Sequence, residues 1–179
     1  MSVLPVVKYG DPILRKKAKL VDINELKYLS ELIDDLFDTM YEEEGIGLAA
    51  NQVGVDLDLM VIDVIHLEEY EHLKPLVFVN TKILEEEGEI EIEEGCLSIP
   101  EIRATIPRAE SIIVKYVDES GNSITEKFSG MLCRVILHEM DHLQGKFFTD
   151  YLSPAKRKLV HGKLIEISKN GFPSTGVIL

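Results

Sequence analysis

The chain has few cysteines, no tryptophan and a shortage of basic residues. Only two of its 179 residues are cysteine, which excludes a disulfide scaffold and indicates a reducing compartment, where a distinctive cysteine is more often catalytic or metal-binding than bridged. Lysine and arginine number 19 against 32 aspartates and glutamates, a net charge of −13. Because phosphates repel an acidic surface, general nucleic-acid binding is not expected, and we predict no DNA partner.

Long hydrophobic runs are also missing. The most apolar stretch, residues 57–67, is much shorter than a bilayer span and is interrupted by Asp58, Asp63 and His66. Residues 1–7 lack the basic and apolar regions of a secretory signal. These absences predict a cytoplasmic protein that does not associate with membranes.

What is present is an ordinary globular composition. Apolar residues make up 45% of the chain and charged residues 28%. The chain is long enough to bury a sizeable core, and no repeat or flexible linker divides it. We therefore predict one domain over residues 1–179, in which residues 153–179 form a C-terminal helix and tail.

Helical spacing of apolar residues predicts three helices, over residues 22–44, over residues 131–144, and from residue 153 to about residue 170. Asp22 with Glu25 resembles a capping box at the start of the first helix, and Gly45 stands where a C-cap glycine would. Gly145 is placed to end the second helix.

Strand patterns fill the middle of the chain. We predict strands over residues 59–65, 76–84, 88–93, 111–117 and 123–128. The last two flank Gly121-Asn122, a hairpin turn signal. The order of elements predicts an α+β fold with mostly antiparallel sheets packed around a central helix, and with an N-terminal and a C-terminal helix.

The strongest chemical pattern is the segment from His138 to His142, with the sequence His-Glu-Met-Asp-His, in the second predicted helix. Residues four apart on an α-helix differ by about 40° in azimuth, so both imidazoles leave one face and can hold one divalent metal ion. Glu139 lies beside them and is placed to take a proton from a water molecule as general base.

Two histidines leave a third ligand to be found, because catalytic metal sites usually take three protein ligands. A third histidine six residues after His142 would fit one class of metalloprotease, but Phe148 stands there. Two candidates remain. Glu166 lies in the last predicted helix, and Cys96 lies in a predicted loop, where its thiolate is a strong ligand for Zn²⁺ or Fe²⁺.

A glycine-rich segment over residues 45–52, with the sequence Gly-Ile-Gly-Leu-Ala-Ala-Asn-Gln, is the third unusual feature. Small residues there would let the backbone of a substrate approach closely, and the Gln52 amide could donate to a developing oxyanion. The alternative interpretation is a helix C-cap that leads into a turn.

Together the three segments resemble the peptide deformylase family. That family carries a G-x-G-L-A-A-x-Q segment, an E-G-C-L-S segment and an H-E-x-D-H segment in this order, matched here by residues 45–52, 94–98 and 138–142. The resemblance extends from residue 11 to residue 152. It implies a single catalytic domain that removes the formyl group from the N-terminal methionine of newly synthesised polypeptides.

The resemblance also implies a role for individual residues. The expected metal ligands are Cys96, His138 and His142. The expected catalytic groups are Glu139 as general base, with Gln52 and the backbone N–H of Leu97 as the oxyanion hole. The expected substrate-binding residues are Gly47 and Gly95 at the peptide backbone, Ile46 and Val135 around the methionine side chain, and Arg103 against the bound peptide.

The family is associated with Fe²⁺ in cells, and Zn²⁺, Ni²⁺ or Co²⁺ also fits a site of one sulfur and two imidazoles. The expected partners are N-formylmethionyl nascent peptides. The resemblance to some family members also implies a transient contact with the ribosome, which here would be made by the basic C-terminal helix. Its basic residues, opposed only by Glu166, are Lys156, Arg157, Lys158, Lys163 and Lys169.

The sequence departs from the family pattern at two places, and three rival hypotheses of function remain. Leu137 stands where the family often has glutamine, and residues 66–74 are locally distinctive. One rival is a metallopeptidase with Glu166 as third ligand, and a second is a non-catalytic scaffold around a structural metal. A thiol hydrolase that uses Cys96 with a histidine is the third, and it predicts activity without any metal.

Overall fold

The computed structural model describes residues 2–170. Within that range the chain forms three α-helices: α1 (Ser30–Glu42), α2 (Gly130–Leu143) and α3 (Pro154–Asn170). Seven strands are formed there: β1 (Gly47–Ala49), β2 (Leu59–Ile62), β3 (Leu76–Glu87), β4 (Ile90–Cys96), β5 (Ile99–Arg108), β6 (Ser111–Val117) and β7 (Ser123–Ser129). Short 3-10 helices link them, over Pro12–Arg15, Ile23–Tyr28, Ala50–Val53, Glu68–Tyr70 and Phe148–Tyr151.

The strands form two antiparallel sheets. One has five strands in the order β1-β2-β3-β6-β7, and the other pairs β4 with β5. This arrangement confirms the predicted α+β class. None of the described helices combines the length and apolarity needed to span a bilayer.

Alternation along the strands gives the five-stranded sheet two buried faces. In β2, Met60 and Ile62 pack toward α2, whereas Leu59 and Val61 pack toward α1. Helix α2 is therefore enclosed, and its apolar residues contribute to the same cluster as Phe78. The predicted central helix is confirmed.

A third apolar cluster joins the two-stranded sheet to the C-terminal helix. Cys96 and Ile99 from the β4–β5 turn pack there with Phe148, and α3 adds Leu164 and Ile167, which are 5% and 1% exposed. The predicted C-terminal helix from Ser153-Pro154 is confirmed, while residues 171–179 lie outside the described range.

The predicted single helix over residues 22–44 is wrong. Asp22 caps a 3-10 helix by accepting from Asn24 N–H, and α1 begins only after Leu29, whose backbone angles (φ −94°, ψ 2°) break the helical path. The left-handed residue after α1 is Glu44 (φ 56°) and not Gly45. Gly45 instead makes room for Leu97, since a Cβ at Gly45 would lie 3.1 Å from Leu97 Cδ1.

The strands in the middle of the chain are confirmed with shifted ends. β2 stops at Ile62, β3 continues to Glu87, and β4 lies two to three residues later than its alternating pattern predicts. The sequence patterns missed β5, because Pro100 and Pro107 lie within it. They also missed the short β1, since its glycine-rich sequence is typical of a turn.

Candidate active site

Helix α2 presents His138 and His142 on one face, as their spacing predicts. The two side chains are 3% and 1% exposed, and their Nε2 atoms lie 3.2 Å apart. Phe148 stacks near His138, and Phe147 meets the edge of His142. Both imidazoles are therefore held in fixed orientations with one nitrogen each directed at the same point.

Cys96 supplies the third atom of this group. It ends β4, directly after a break in the β4–β5 register, and its Sγ lies 3.2 Å from His142 Nε2. The ligand atoms of Cys96, His138 and His142 all lie within 4.8 Å of one another. Glu166 is exposed on α3 and is not part of the group. Cys133 is buried elsewhere, with its Sγ 3.6 Å from the Ala109 carbonyl.

The three atoms fit one divalent metal ion. Ligands bound to a tetrahedral ion at about 2.0–2.3 Å stand about 3.3–3.6 Å apart, close to the separations of 3.2 Å between His142 Nε2 and its two neighbours. A thiolate with two imidazoles is a donor set that zinc and first-row transition metals favour. With three protein ligands, a fourth coordination position stays available to solvent or substrate.

A buried carboxylate orients the first histidine. Glu94, fully buried, lies 2.9 Å from His138 Nδ1, which directs the opposite ring nitrogen toward the group. Arg108 holds the same carboxylate through Nε at 2.6 Å and Nη2 at 3.0 Å, and Arg134 donates to it at 2.7 Å. Burial opposes the charge on Glu94, but the hydrogen bonds from His138 and Arg108 outweigh it and lower its pKa to about 2.

The sequence motifs contained Glu94 but did not reveal its role, because its partners are 14, 40 and 44 positions away. Arg108 also donates from Nη1 to Asp141 at 2.8 Å, and Tyr151 donates to the other oxygen of Asp141 at 3.0 Å. The support of His138 thus reaches from β4 and β5 back to its own helix. The place of a charged residue inside a conspicuous motif is the one sequence signal that could have indicated the role of Glu94.

Glu139 lies beside the donor group with an unpaired oxygen. Its side chain is 1% exposed, and its Oε2 has no hydrogen-bond partner. Burial raises its pKa to about 7, against the lowering effect of the nearby charges on His138 and Arg108. A carboxylate with a pKa near neutrality can both accept and return a proton.

Gln52 points its amide at the same place. Its Oε1 accepts from Ala49 N–H at 2.9 Å, which leaves Nε2 directed toward Ser98 Oγ at 3.3 Å and Cys96 Sγ at 3.8 Å. The 3-10 helix directly after β1 positions this side chain, and the residue is 1% exposed. An N–H donor is therefore fixed in advance next to the donor group.

A cavity of about 10 Å³, the room one water molecule needs, lies between these groups. It is lined by Gly45, Ile46, Gly47, Gln52, Gly95, Cys96, Leu97, His138 and Glu139. Val135 is fully buried next to Gly47, and Arg103 is exposed on β5 in an ion pair with Glu93 at 2.9 Å. A larger cavity of about 660 Å³ lies along another side of α2 and contains none of the three candidate ligands.

Known proteins share both the sequence and this architecture. The profile of the polypeptide deformylase family matches residues 3–158. Peptide deformylase 2 of Xanthomonas campestris pv. campestris is 46% identical over 172 residues, which cover 95% of this chain and 99% of the relative.

Solved structures agree. The peptide deformylase of Legionella pneumophila is similar with a TM-score of 0.83 and 40% identity, over 96% of this chain and 100% of that one. The peptide deformylase of Thermus thermophilus gives a TM-score of 0.82 and 38% identity, over 93% and 98% of the two chains. The similarity in sequence and in fold shows that the chain belongs to the polypeptide deformylase family.

Proposed function

We propose that the water-sized cavity between α2, β1 and the β4–β5 turn is the active site of this metal-dependent hydrolase. The enzyme removes the N-formyl group from newly synthesised polypeptides, as its family does. The observation that carries the assignment is the convergence of Cys96, His138 and His142 beside Glu139 and Gln52. We further propose that residues 1–179 act as one catalytic domain.

The divalent ion would be held by Cys96, His138 and His142. Glu139 would accept the proton of the attacking water and later donate it. The bound ion supplies Lewis acidity, which makes water a better nucleophile at neutral pH. Glu139 accepts the proton of the attacking water at its unpaired Oε2. It then delivers this proton to the amine nitrogen as the carbon–nitrogen bond breaks, so that formate and a free N-terminus leave.

Gln52 and the backbone N–H of Leu97 form the proposed oxyanion hole. Negative charge develops on the formyl oxygen when water adds to the carbon, and donors fixed beforehand stabilise that charge at little reorganisation cost. The fixed amide of Gln52 and its place in the lining of the cavity support this role. Glu94 orients His138 and is a positioning residue in this scheme.

The substrate peptide is proposed to bind in extended form along β1. Within the described residues this strand pairs only with β2 and so forms an edge of the five-stranded sheet, with backbone groups of Gly47 available for pairing. Gly95 and Ile46 line the same cavity, and Val135 lies next to Gly47. These positions support the proposal that Ile46 and Val135 surround the methionine side chain. Arg103, exposed on β5, is proposed to contact the peptide beyond its first residue.

We propose Fe²⁺ as the ion used in cells, with Zn²⁺, Ni²⁺ and Co²⁺ as ions that the same donors accept. One thiolate and two imidazoles suit all four ions, so the availability of each metal in the cell decides which ion occupies the site. A cytoplasmic location is proposed with it, where N-formylmethionyl nascent peptides are made.

A transient ribosome contact through α3 is also proposed. The exposed residues of this helix include Lys156, Arg157, Lys158 and Lys169. Lys163 is committed to an ion pair with Glu101 at 2.9 Å. Exposed cations along one helix of a chain with net charge −13 suit a local contact with phosphate groups and no general binding to DNA.

Three variants test the proposed function. We expect Cys96→Ala to lose the metal, and Glu139→Gln to keep the metal but lower formate release from a formyl-methionyl peptide by at least about 10²-fold. Glu166→Ala serves as control and changes neither. The measurements are anaerobic metal analysis and a formate-release assay.

The rivals predict other results. Metal that survives Cys96→Ala but not Glu166→Ala would restore the metallopeptidase hypothesis. Full activity of Glu139→Gln would contradict the general-base role, and activity after complete metal removal would favour a thiol hydrolase that uses Cys96.

A further inference from the structure

Three successive residues near the N-terminus connect the two halves of the proposed oxyanion hole. Val7 N–H donates to the Gln52 carbonyl at 2.7 Å, and Tyr9 N–H donates to the Ser98 carbonyl at 2.8 Å. The first bond holds the 3-10 helix that carries the Gln52 amide, and the second holds the β4–β5 turn. Residues 7–9 therefore form a strap across two segments that are far apart in sequence.

Lys8, between them, adds a side-chain bond to the other half. Its Nζ donates to the Leu97 carbonyl at 2.9 Å, and its side chain is half-buried. Burial lowers the pKa of Lys8, while the charges of Glu43 and Cys96 favour its protonated form. The Lys8 ammonium group is therefore a charged donor to the Leu97 carbonyl.

The position of this bond matters because of what lies next to it. Peptide units are planar, so the Leu97 carbonyl and the Leu97 N–H are related by only two backbone torsions. Fixing the carbonyl by Lys8, together with the next carbonyl by Tyr9, restricts the direction in which the Leu97 N–H points. The Leu97 side chain, 5% exposed and in contact range of Gly45, restricts it further.

We infer that Lys8 is a positioning residue for the oxyanion hole, which it serves by fixing the peptide backbone at Leu97. The inference rests on the proposed function of Gln52 and Leu97. It differs from a general stabilising role in one respect. A donor that meets charge only in the transition state affects kcat and leaves ground-state binding unchanged.

The test is Lys8→Met, which keeps the length of the side chain and removes its donor. We expect kcat for a formyl-methionyl peptide to fall about tenfold, less than the loss of a whole oxyanion donor, with KM within about twofold of the parent. Metal content and melting temperature should stay at parental values. Lys8→Arg, which restores a donor, should recover most of kcat.

Lys16→Met is the matched control, since it removes an exposed ammonium group from the same N-terminal region. Gln52→Leu is measured in parallel, alone and combined with Lys8→Met. If both residues serve one hole, the Lys8 substitution lowers kcat less in the Gln52→Leu background than in the parent.

The possible outcomes distinguish a failure of the role inferred for Lys8 from a failure of the proposed oxyanion hole. An unchanged kcat in Lys8→Met with a strong loss in Gln52→Leu overturns the role of Lys8 alone. If Lys8→Met lowers kcat, metal content and melting temperature together, and Lys8→Arg recovers none of them, the contact is merely structural. That result also overturns the role of Lys8. Parental kcat in Gln52→Leu would instead overturn the proposed oxyanion hole.

Discussion

At Gly47 the lack of a side chain decides how closely β1 approaches α2. A Cβ at this position would lie 2.8 Å from Glu139 Oε1 and 2.8 Å from Val135 Cγ1. Both neighbours are buried and cannot withdraw into solvent. The glycine therefore limits where the carboxylate of Glu139, the proposed general base, can lie.

We predict that Gly47→Ala lowers kcat about 10²-fold, because the added methyl group displaces Glu139 from its place beside the donor group. Metal content should remain, because the atoms nearest to the added methyl group belong to Glu139 and Val135 and not to the three proposed ligands. Formate release and metal analysis check both statements.

The control is Gly162→Ala in α3, where an added Cβ meets nothing within 4 Å. It should leave kcat unchanged and add up to about 1 kcal/mol to stability through helix propensity. Parental kcat in Gly47→Ala would show that the close approach of β1 is not needed for catalysis.

A second single residue, Asp58, gives a stability prediction. Its side chain is buried, Oδ1 has no partner, and burial raises its pKa from 3.8 to about 6 despite a backbone hydrogen bond at Thr81. The folded state therefore disfavours the carboxylate. The resulting cost is absent below about pH 4, grows between pH 4 and pH 6, and is complete above pH 6.

Asp58→Asn removes this cost, so we predict a gain of about 1–3 kcal/mol in the free energy of unfolding at pH 7.5 and little gain at pH 4. Urea denaturation at the two pH values measures the difference. A gain of the same size at both pH values would refute ionisation of Asp58 as the cause.

At the scale of elements, α3 has one face committed to the core and one exposed. Leu164 and Ile167 pack under β5, so truncation of the chain after Leu152 would remove core packing together with charge. Charge reversal at exposed lysines of α3 is the sharper test of ribosome binding. Arg157 is left unchanged because it donates to the Asp150 carbonyl at 2.6 Å.

We predict that reversing three exposed charges of α3 lowers co-sedimentation with ribosomes and leaves hydrolysis of a short formyl peptide unchanged. The variant combines Lys156→Glu, Lys158→Glu and Lys169→Glu. The effect should shrink as salt is raised, because phosphate contacts release counterions.

A matched variant reverses three exposed charges elsewhere, Lys16→Glu, Lys27→Glu and Lys74→Glu, and so has the same net charge. Equal losses in both variants would indicate a general charge effect, and unchanged co-sedimentation of the α3 variant would remove the proposed contact.

For the whole molecule, local pattern predicted most elements and the pairing of two histidines at the candidate metal site. The four-residue spacing of His138 and His142 needs only helix geometry, and the hairpin at Gly121 needs only turn chemistry. From the residues alone, Cys96 and Glu166 were both open as third ligand. The resemblance favoured Cys96, and the geometry of the described residues agrees.

What local pattern missed depends on contacts between distant segments. β5 is a strand because β4 pairs with it and the core covers it, although Pro100 and Pro107 interrupt its pattern. The contacts behind the proposed roles of Lys8 and Glu94 are made with partners 89 and 44 positions away. Such pairings have no periodicity within any short window of sequence.

Cys96 and His142 are 46 positions apart along the chain, and this separation affects how strongly a bound metal ion stabilises the folded state. The unfolded polypeptide holds no comparable cluster, so an ion that prefers the native form acts as a reversible crosslink. At a hundredfold excess over its dissociation constant it adds about 2.7 kcal/mol. We therefore expect the enzyme to be degraded more slowly by proteases when the metal ion is plentiful, and faster when the ion is scarce and the less stable apoprotein accumulates.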